Sequence, residues 1–480
     1  MHSFKLAPLV LAALASCGGG GSMVQAGNPS TPRIAAAPTA TPPRLKGITV
    51  LPDTTGRFGL IQVGDDWGHD DSRKLLGPFS TSQIKTEAPH EDSIWAAFEP
   101  SVWDVHHPGM LVSRYTVPQE DEYLISHHNL TWWQTNHPNW ILYACDANGN
   151  PTKDLAWSGT TFPNDVPLDI HNPDVVKYEV TQLGKFMAAN GYNALAADQM
   201  TFENYLRAPN PILGEGKPQP GWYACGIYEH GTFVRRYGAA GSSDLGQPDP
   251  AWIGDAINWI ATARRIFNTQ FTGKHFKIFV NHPILGDKPT AQELQLLHYV
   301  DGVAIEDGFT NYGQYVRSGL PSLFTQTLSW MQAAQQNHVA TFIIDYYCDY
   351  GIAASGAACS YDPSTLTASQ VDWALATYAI GNSGGADVYI APEGLDNFSY
   401  RPEYATSYGK PCGTSTHDRS IFMRQFAGGL AIVNASYTAQ TVRLPSKHVY
   451  TDIEGRTIGN PLTVSGADGY LLLTKGNGCT

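Results

Sequence analysis

The chain has 480 residues, of which 42% are hydrophobic and only 15% charged, and its formal charge is −13 at pH 7. That composition supplies ample core material and excludes a disordered chain. The acidic balance, with no Lys/Arg run and no basic patch interleaved with aromatics, argues against nucleic acid as a partner.

The first element is a targeting segment. Met1–Lys5 is short and polar, and the apolar run "LAPLVLAALA", 6–15, is too short to span a bilayer as a stable helix. It ends in "LASC", 14–17, which resembles a bacterial lipoprotein lipobox. The resemblance implies cleavage before Cys17 and acylation of that thiol. With Gly18 rather than Asp following, it also implies export onward to the outer membrane, on its periplasmic or surface face. The expected mature protein is therefore anchored to a bacterial membrane by lipid, without a transmembrane helix. Residues 18–46 are rich in Gly, Pro, Ala and Thr and cannot bury a core, so they read as a tether.

Residues 47–410 alternate short apolar runs with helix-like segments. Eight runs read as strands: "FGLIQV" 58–63, "MLVSRYTV" 110–117, "WILYAC" 140–145, "NALAAD" 193–198, "KIFVNH" 277–282, "GVAIED" 302–307, "TFIIDYY" 341–347 and "ADVYIAP" 386–392. They are continuous rather than alternating, as strands covered on both faces should be. Helices are expected over 172–191 and 249–270, each opening on Asn-Pro or Asp-Pro, and over 290–300, 321–338 and 367–381. "DSIWAAF", 92–98, and "HHNLTWWQ", 127–134, are shorter helix candidates. Eight buried strands alternating with helices predict an α/β fold, a (β/α)8 TIM barrel; an open doubly wound sheet is the alternative, and its Gly-rich first turn is missing. From about 415 the texture changes to short β-type runs separated by Gly, Asn and Asp turns. This predicts a small antiparallel β-sandwich domain over 411–480.

Seven cysteines are present. If Cys17 carries lipid, six remain, an even number that suits disulfides in an exported chain. The expected pairs are Cys348–Cys359, Cys412–Cys479 and Cys145–Cys225. No C-x-x-C or H-E-x-x-H spacing exists, so no metal site and no cofactor is expected.

In a (β/α)8 barrel the active site sits at the C-terminal ends of the strands. Here those ends are polar: Asp65 and Asp66, Arg114 and Tyr115, Asp146, Asp198, Asn281 and His282, Glu306 and Asp307, Asp345 and Tyr346, and Glu393. The core needs none of them. Asp198 and Glu306, closing the fourth and sixth strands, are the expected catalytic pair, and Asp66, Arg114, Tyr115, Asp146, Asn281, Asp307, Asp345 and Glu393 are expected substrate-binding groups. Side chains alternate along a strand, so an inward Glu306 places Val303 and Ile305 against the helices and small Ala304 inside; this favours Glu306 over Asp307. Two carboxylates across a cleft suit glycosidic bond cleavage. One protonates a poor leaving oxygen, and the other stabilises or attacks an oxocarbenium-like carbon. A separation of about 5–5.5 Å would give retention, and about 6.5–9.5 Å inversion.

The motifs "MLVSRYT", "GYNALAADQM" and "DGVAIEDGF", followed by the tail "RQFAGGLAIVNAS…TVRLPS…YTDIEG…GYLLL", resemble bacterial glycoside hydrolases of the alpha-galactosidase superfamily. Within that superfamily they are most like hypothetical glycosyl hydrolase family 15. The resemblance spans roughly 57–477 and implies a carbohydrate substrate. It also implies that Asp198, on the fourth strand, is the nucleophile of a retaining reaction and that Glu306, on the sixth, is the acid/base. The Glu-Asp pair at 306–307 departs from a single donor.

Other readings compete. Trp132 and Trp133 are either a sugar-stacking platform or packing residues. "GNSGG", 381–385, matches the nucleophile-elbow pattern, but a helix precedes Ser383 and a strand follows it, the reverse of an esterase's order. A non-catalytic glycan-binding lipoprotein on the same fold is the alternative to an enzyme.

Overall fold

The computed structural model describes residues 51–479, except 65–78, 147–148, 157–164, 199, 201, 203, 205–223, 239–248, 283–285, 307, 312, 350–351, 354–361 and 393–399. The signal, lipobox and tether readings, with Cys17, lie outside these residues, as do Asp66, Asp307, Cys359 and Glu393.

Eight parallel strands close into a ring. In chain order they are β1 (Ile61–Gln62), β2 (Ser93–Ile94), β3 (Leu111–Thr116), β4 (Ala194–Ala197), β5 (Lys277–Asn281), β6 (Gly302–Ile305), β7 (Ala340–Tyr346) and β8 (Ala386–Ala391). Each pairs with the next. The Leu60–Val388 bridge joins the last strand to the first. Closure excludes the open-sheet alternative. The intervening helices are α1 (Thr81–Glu87), α2 (Pro100–His106), α3 (Pro173–Asn190), α4 (Pro250–Gln270), α5 (Ala291–Leu296), α6 (Leu320–Gln336) and α7 (Ala368–Gly381).

The helix signals act as their chemistry requires. Asn172 and Asp249 each accept a backbone N–H of the first turn ahead of a Pro, and Gly191 ends α3 at φ 88°. Thr367 and Gln370 form a reciprocal capping box on α7. Ser383 lies in the turn after that helix, as its order in the chain implied.

Two strand expectations need correction. The run 140–145 is not a barrel strand. Its residues Tyr143–Cys145 pair antiparallel with Pro151–Leu155 and with Ala224–Glu229 in a separate four-stranded sheet. Ile141, Leu142, Ala144 and Cys145 are fully buried there, which gives the run its core-like character. The missing barrel strand is Ser93–Ile94, inside the segment expected to be helical. It is only two residues long, and the chain leaves the sheet at Ala96, which adopts φ 87°. The omission and the surplus cancel, so Asp198 and Glu306 still close the fourth and sixth strands.

The four-stranded sheet is built from two excursions, one leaving the C-terminal end of β3 and one that of β4. Cys145–Cys225 staples them together, as expected. Cys412–Cys479 is formed as well. Cys348 is disulfide-bonded, and its expected partner Cys359 is outside the described residues.

The barrel interior fills in layers drawn from alternate strands, as the parallel register dictates. Phe279 and Phe342 pack with ring centroids 4.8 Å apart at mid-height. Gly302 makes room for them: a Cβ there would lie 2.5 Å from one ring and 2.8 Å from the other. Above them come Trp95, Ala196, Ala304 and Tyr389, then Val63, Tyr115, Asn281 and Ile344. Asp198 and Glu306 reach the next layer up, at the mouth.

The C-terminal segment forms a five-stranded antiparallel sheet that includes β9 (Ile421–Phe426), β10 (Gly429–Asn434) and β11 (Asp468–Thr474), with a two-stranded ribbon beside it. Ile432, Val442, Val464 and Leu472 fill the space between sheet and ribbon. The sheet packs on α7, where Gly469 leaves room for Ala376. This explains why α7 is apolar on all sides: one face meets the barrel and the other the sheet. Arg424 on β9 donates to the carbonyls of Ala379, Ile380 and Asn382 at 3.3, 3.2 and 2.6 Å, closing the C-terminus of α7.

Candidate active site

The register decides which strand-end side chains meet. Tyr115 is level with Ala196 on β4, and Asn281 is one strand away from Asp198, so all three point inward with Glu306. The Asn281 amide nitrogen donates to Asp198 Oδ1 at 2.9 Å and to Glu306 Oε2 at 2.6 Å. Two oxygens within those distances of one nitrogen are at most 5.5 Å apart. Two carboxylate acceptors also fix which end of the Asn281 amide faces them. Tyr115 donates its hydroxyl to Asp198 Oδ2 at 2.8 Å, and Tyr346 donates to Glu306 Oε1 at 3.1 Å. Each oxygen of the pair thus has a donor. Burial, then the Asp198 charge, pushes the Tyr115 phenol well above its usual range, so it stays protonated and donating.

Three expected site residues are placed elsewhere, two of them by alternation. Arg114 sits between inward Ser113 and Tyr115 and therefore faces the helices. It pairs with Glu122 and lies over the Phe186 ring of α3. Asp345 likewise points outward, between Ile344 and Tyr346. It is fully buried and accepts the Phe309 N–H at 2.6 Å, holding the turn that follows Glu306. A Cβ on Gly308 would lie 2.2 Å from the Asp345 carboxylate, so the turn closes directly on that acid. Burial pushes the Asp345 carboxyl up to about 7, against the opposing backbone hydrogen bond from Phe309. Asp146 lies in the hairpin turn of the four-stranded sheet, where it accepts the Asn150 N–H at 2.8 Å. It is not a barrel strand end.

Tyr346, named beside Asp345 among the polar strand ends but not among the expected binding groups, is the one of the two that reaches the site. Alternation from Glu306 through the β6–β7 register selects it. That register is invisible in a run apolar on both faces.

Trp133 is fully buried, and its indole N–H donates to Asp121 at 2.8 Å, which makes it a packing residue. Trp132 is half-buried with one face on His128 at 3.5 Å.

No protein-family model and no curated protein matches the chain. Solved structures with a similar chain path include an isomalto-dextranase from Arthrobacter globiformis complexed with panose. It is 10% identical over 92% of this chain and 76% of that one, with a TM-score of 0.48. An isomaltulose synthase from Klebsiella is 11% identical over 87% and 98% of the two chains, with a TM-score of 0.48. A maltogenic alpha-amylase from Thermotoga neapolitana is 11% identical over 89% and 87%, with a TM-score of 0.39. At one identical residue in ten, none of them carries the argument for a reaction, which rests on the strand-end side chains.

Proposed function

We propose that this chain is a retaining glycoside hydrolase. The observation that carries the reading is the Asn281 bridge, which holds one oxygen of Asp198 and one of Glu306 within 5.5 Å. That spacing suits a nucleophile and a proton donor flanking one acetal carbon, and it falls on the retaining rather than the inverting side of the two ranges. In the first step Asp198 attacks the anomeric carbon as the glycosidic C–O bond breaks, and Glu306 gives its proton to the leaving oxygen. In the second step Glu306, now ionised, takes a proton from water. The water oxygen bonds to the anomeric carbon, and Asp198 leaves. Tyr115 and Asn281 hold the nucleophile's two oxygens. Tyr346 and Asn281 hold those of the acid/base.

The motif resemblance to hypothetical glycosyl hydrolase family 15 points to the same two residues. Asp66, Asp307 and Glu393 stay proposed substrate-binding residues on the sequence reading alone. Export and acylation of Cys17 would place the enzyme on a bacterial outer membrane, and loss of membrane partition in Cys17→Ser tests that placement.

The reaction is tested by assaying the soluble chain from Asn28 onward against a panel of aryl glycosides and oligosaccharides. Turnover of at least one member is expected. Glu306→Gln should lower kcat by about 10²–10⁴-fold on substrates with poor leaving groups, and Asp198→Asn should abolish turnover. A chain that binds glycans and releases no product is a binding protein, and the proposal then fails.

A further inference from the structure

We propose that His282 is a positioning residue for the Asp198 nucleophile, holding the backbone that follows it. The inference rests on the glycosidase reading and assigns a residue that touches neither carboxylate.

The β4 ladder ends at Ala197, and Asp198 makes one last ladder-like bond, its N–H donating to Thr116 O at 2.8 Å. Beyond that the nucleophile's backbone needs another support. His282 supplies it. The residue follows Asn281 on β5, so alternation turns its ring outward, away from the sugar cleft and under the excursion that Asp198 begins. Its Nδ1 lies 2.7 Å from the Met200 carbonyl oxygen. A carbonyl only accepts, so Nδ1 carries the proton and donates.

The contact continues along the chain. The Phe202 ring lies 4.6 Å from the imidazole. Two residues further, the Asn204 side chain accepts the Ala224 N–H at 3.2 Å and donates to the Ala224 carbonyl at 2.8 Å, next to the Cys145–Cys225 bridge. Met200, Phe202 and Asn204 are each about 1% exposed.

The anchor is itself immobile, as a positioning group must be. His282 is completely buried. Its carbonyl accepts the Trp330 indole N–H at 3.0 Å, with that ring 5.8 Å away. Its Nε2 faces Glu293 Oε1 at 3.5 Å, and the other oxygen of Glu293 accepts the Thr290 N–H at the start of α5. The β5 backbone and the Trp330 indole of α6 therefore hold His282 in place, and its ring holds the second residue after the nucleophile. A shift of about 1 Å in a reacting group costs on the order of 100-fold in rate, so the support should be visible in kcat.

The two ring nitrogens can be separated by substitution. In His282→Asn the side-chain amide stands near Nδ1 and can keep the Met200 bond. In His282→Gln it reaches toward Nε2 and loses the Met200 bond. Two readouts are taken on variants with native circular dichroism: amide hydrogen exchange of the peptide spanning 199–205, and kcat and KM on the glycoside the wild type turns over. The expected result is faster exchange in His282→Gln with kcat down about 10–100-fold and KM within about threefold. In His282→Asn, exchange and most of kcat are restored. Equal losses in both variants would show a merely structural residue and overturn the proposal. So would faster exchange with unchanged kcat. A wild type that turns over no glycoside defeats the glycosidase reading instead, and the exchange comparison still decides whether His282 anchors the segment.

Discussion

Asp345→Asn isolates one buried acid and gives a stability change with a definite sign. The wild-type carboxyl is fully buried and pushed up to about 7 by desolvation. In the unfolded chain it titrates near about 3.9. Between those values the folded state binds more protons than the unfolded state, so stability falls as pH rises. The contribution is whole below about pH 4 and is lost through about pH 7. A gap of about three units at about 1.36 kcal/mol per unit makes the loss about 4 kcal/mol. Asparagine keeps the acceptor for the Phe309 N–H. It never ionises. The assay is urea unfolding of both proteins from pH 4 to pH 8, followed by Trp fluorescence. Taking the difference between variant and wild type at each pH removes the shared contributions of Asp121 and Asp372, also pushed up to about 7. The variant should gain about 4 kcal/mol on the wild type across that range. A difference constant to within about 1 kcal/mol would refute the reasoning, because the carboxylate would then be as well solvated folded as unfolded.

Two further outcomes follow from named contacts. Asn281→Ala removes hydrogen bonds to both carboxyl groups and leaves the catalytic pair unbridged. Each such bond is worth about 1.5–3 kcal/mol, so kcat should fall at least about 100-fold, measured by steady-state kinetics beside Asp198→Asn. Arg424→Met removes three bonds that close α7 against the C-terminal sheet. Unfolding in urea should show a loss of about 3 kcal/mol with kcat unchanged.

Much of the fold could be read from residue pattern. Pro and Asn/Asp pairs opened α3 and α4 where they stood, and continuous apolar runs marked six of the eight barrel strands plus the core of β1. The second strand escaped because two ladder residues, Ser93 and Ile94, cannot establish a period. The run 140–145 intruded because a strand buried between two other layers looks the same whichever sheet it joins. Within the site, small Ala304 beneath Glu306 betrayed its direction, and the acid of the fourth strand ended an equally small-residue run. Arg114 against Tyr115, and Asp345 against Tyr346, could not be resolved that way. Both faces of β3 and β7 are buried, so a polar residue at the strand end is equally compatible with the mouth and with the helix layer. Only the partner strand's register separates the two. The His282–Met200 bond was illegible for a different reason: it joins a side chain to a carbonyl 82 residues away.

The central claim is that Asp198 and Glu306, bridged by Asn281, cleave a glycosidic bond in two displacements. Proton NMR of the first-formed product from an activated aryl glycoside tests it most directly, read before the sugar mutarotates. The predicted product has the substrate's anomeric configuration, and Asp198→Asn forms none. An inverted first product, or an Asp198→Asn chain that keeps wild-type turnover, would contradict it.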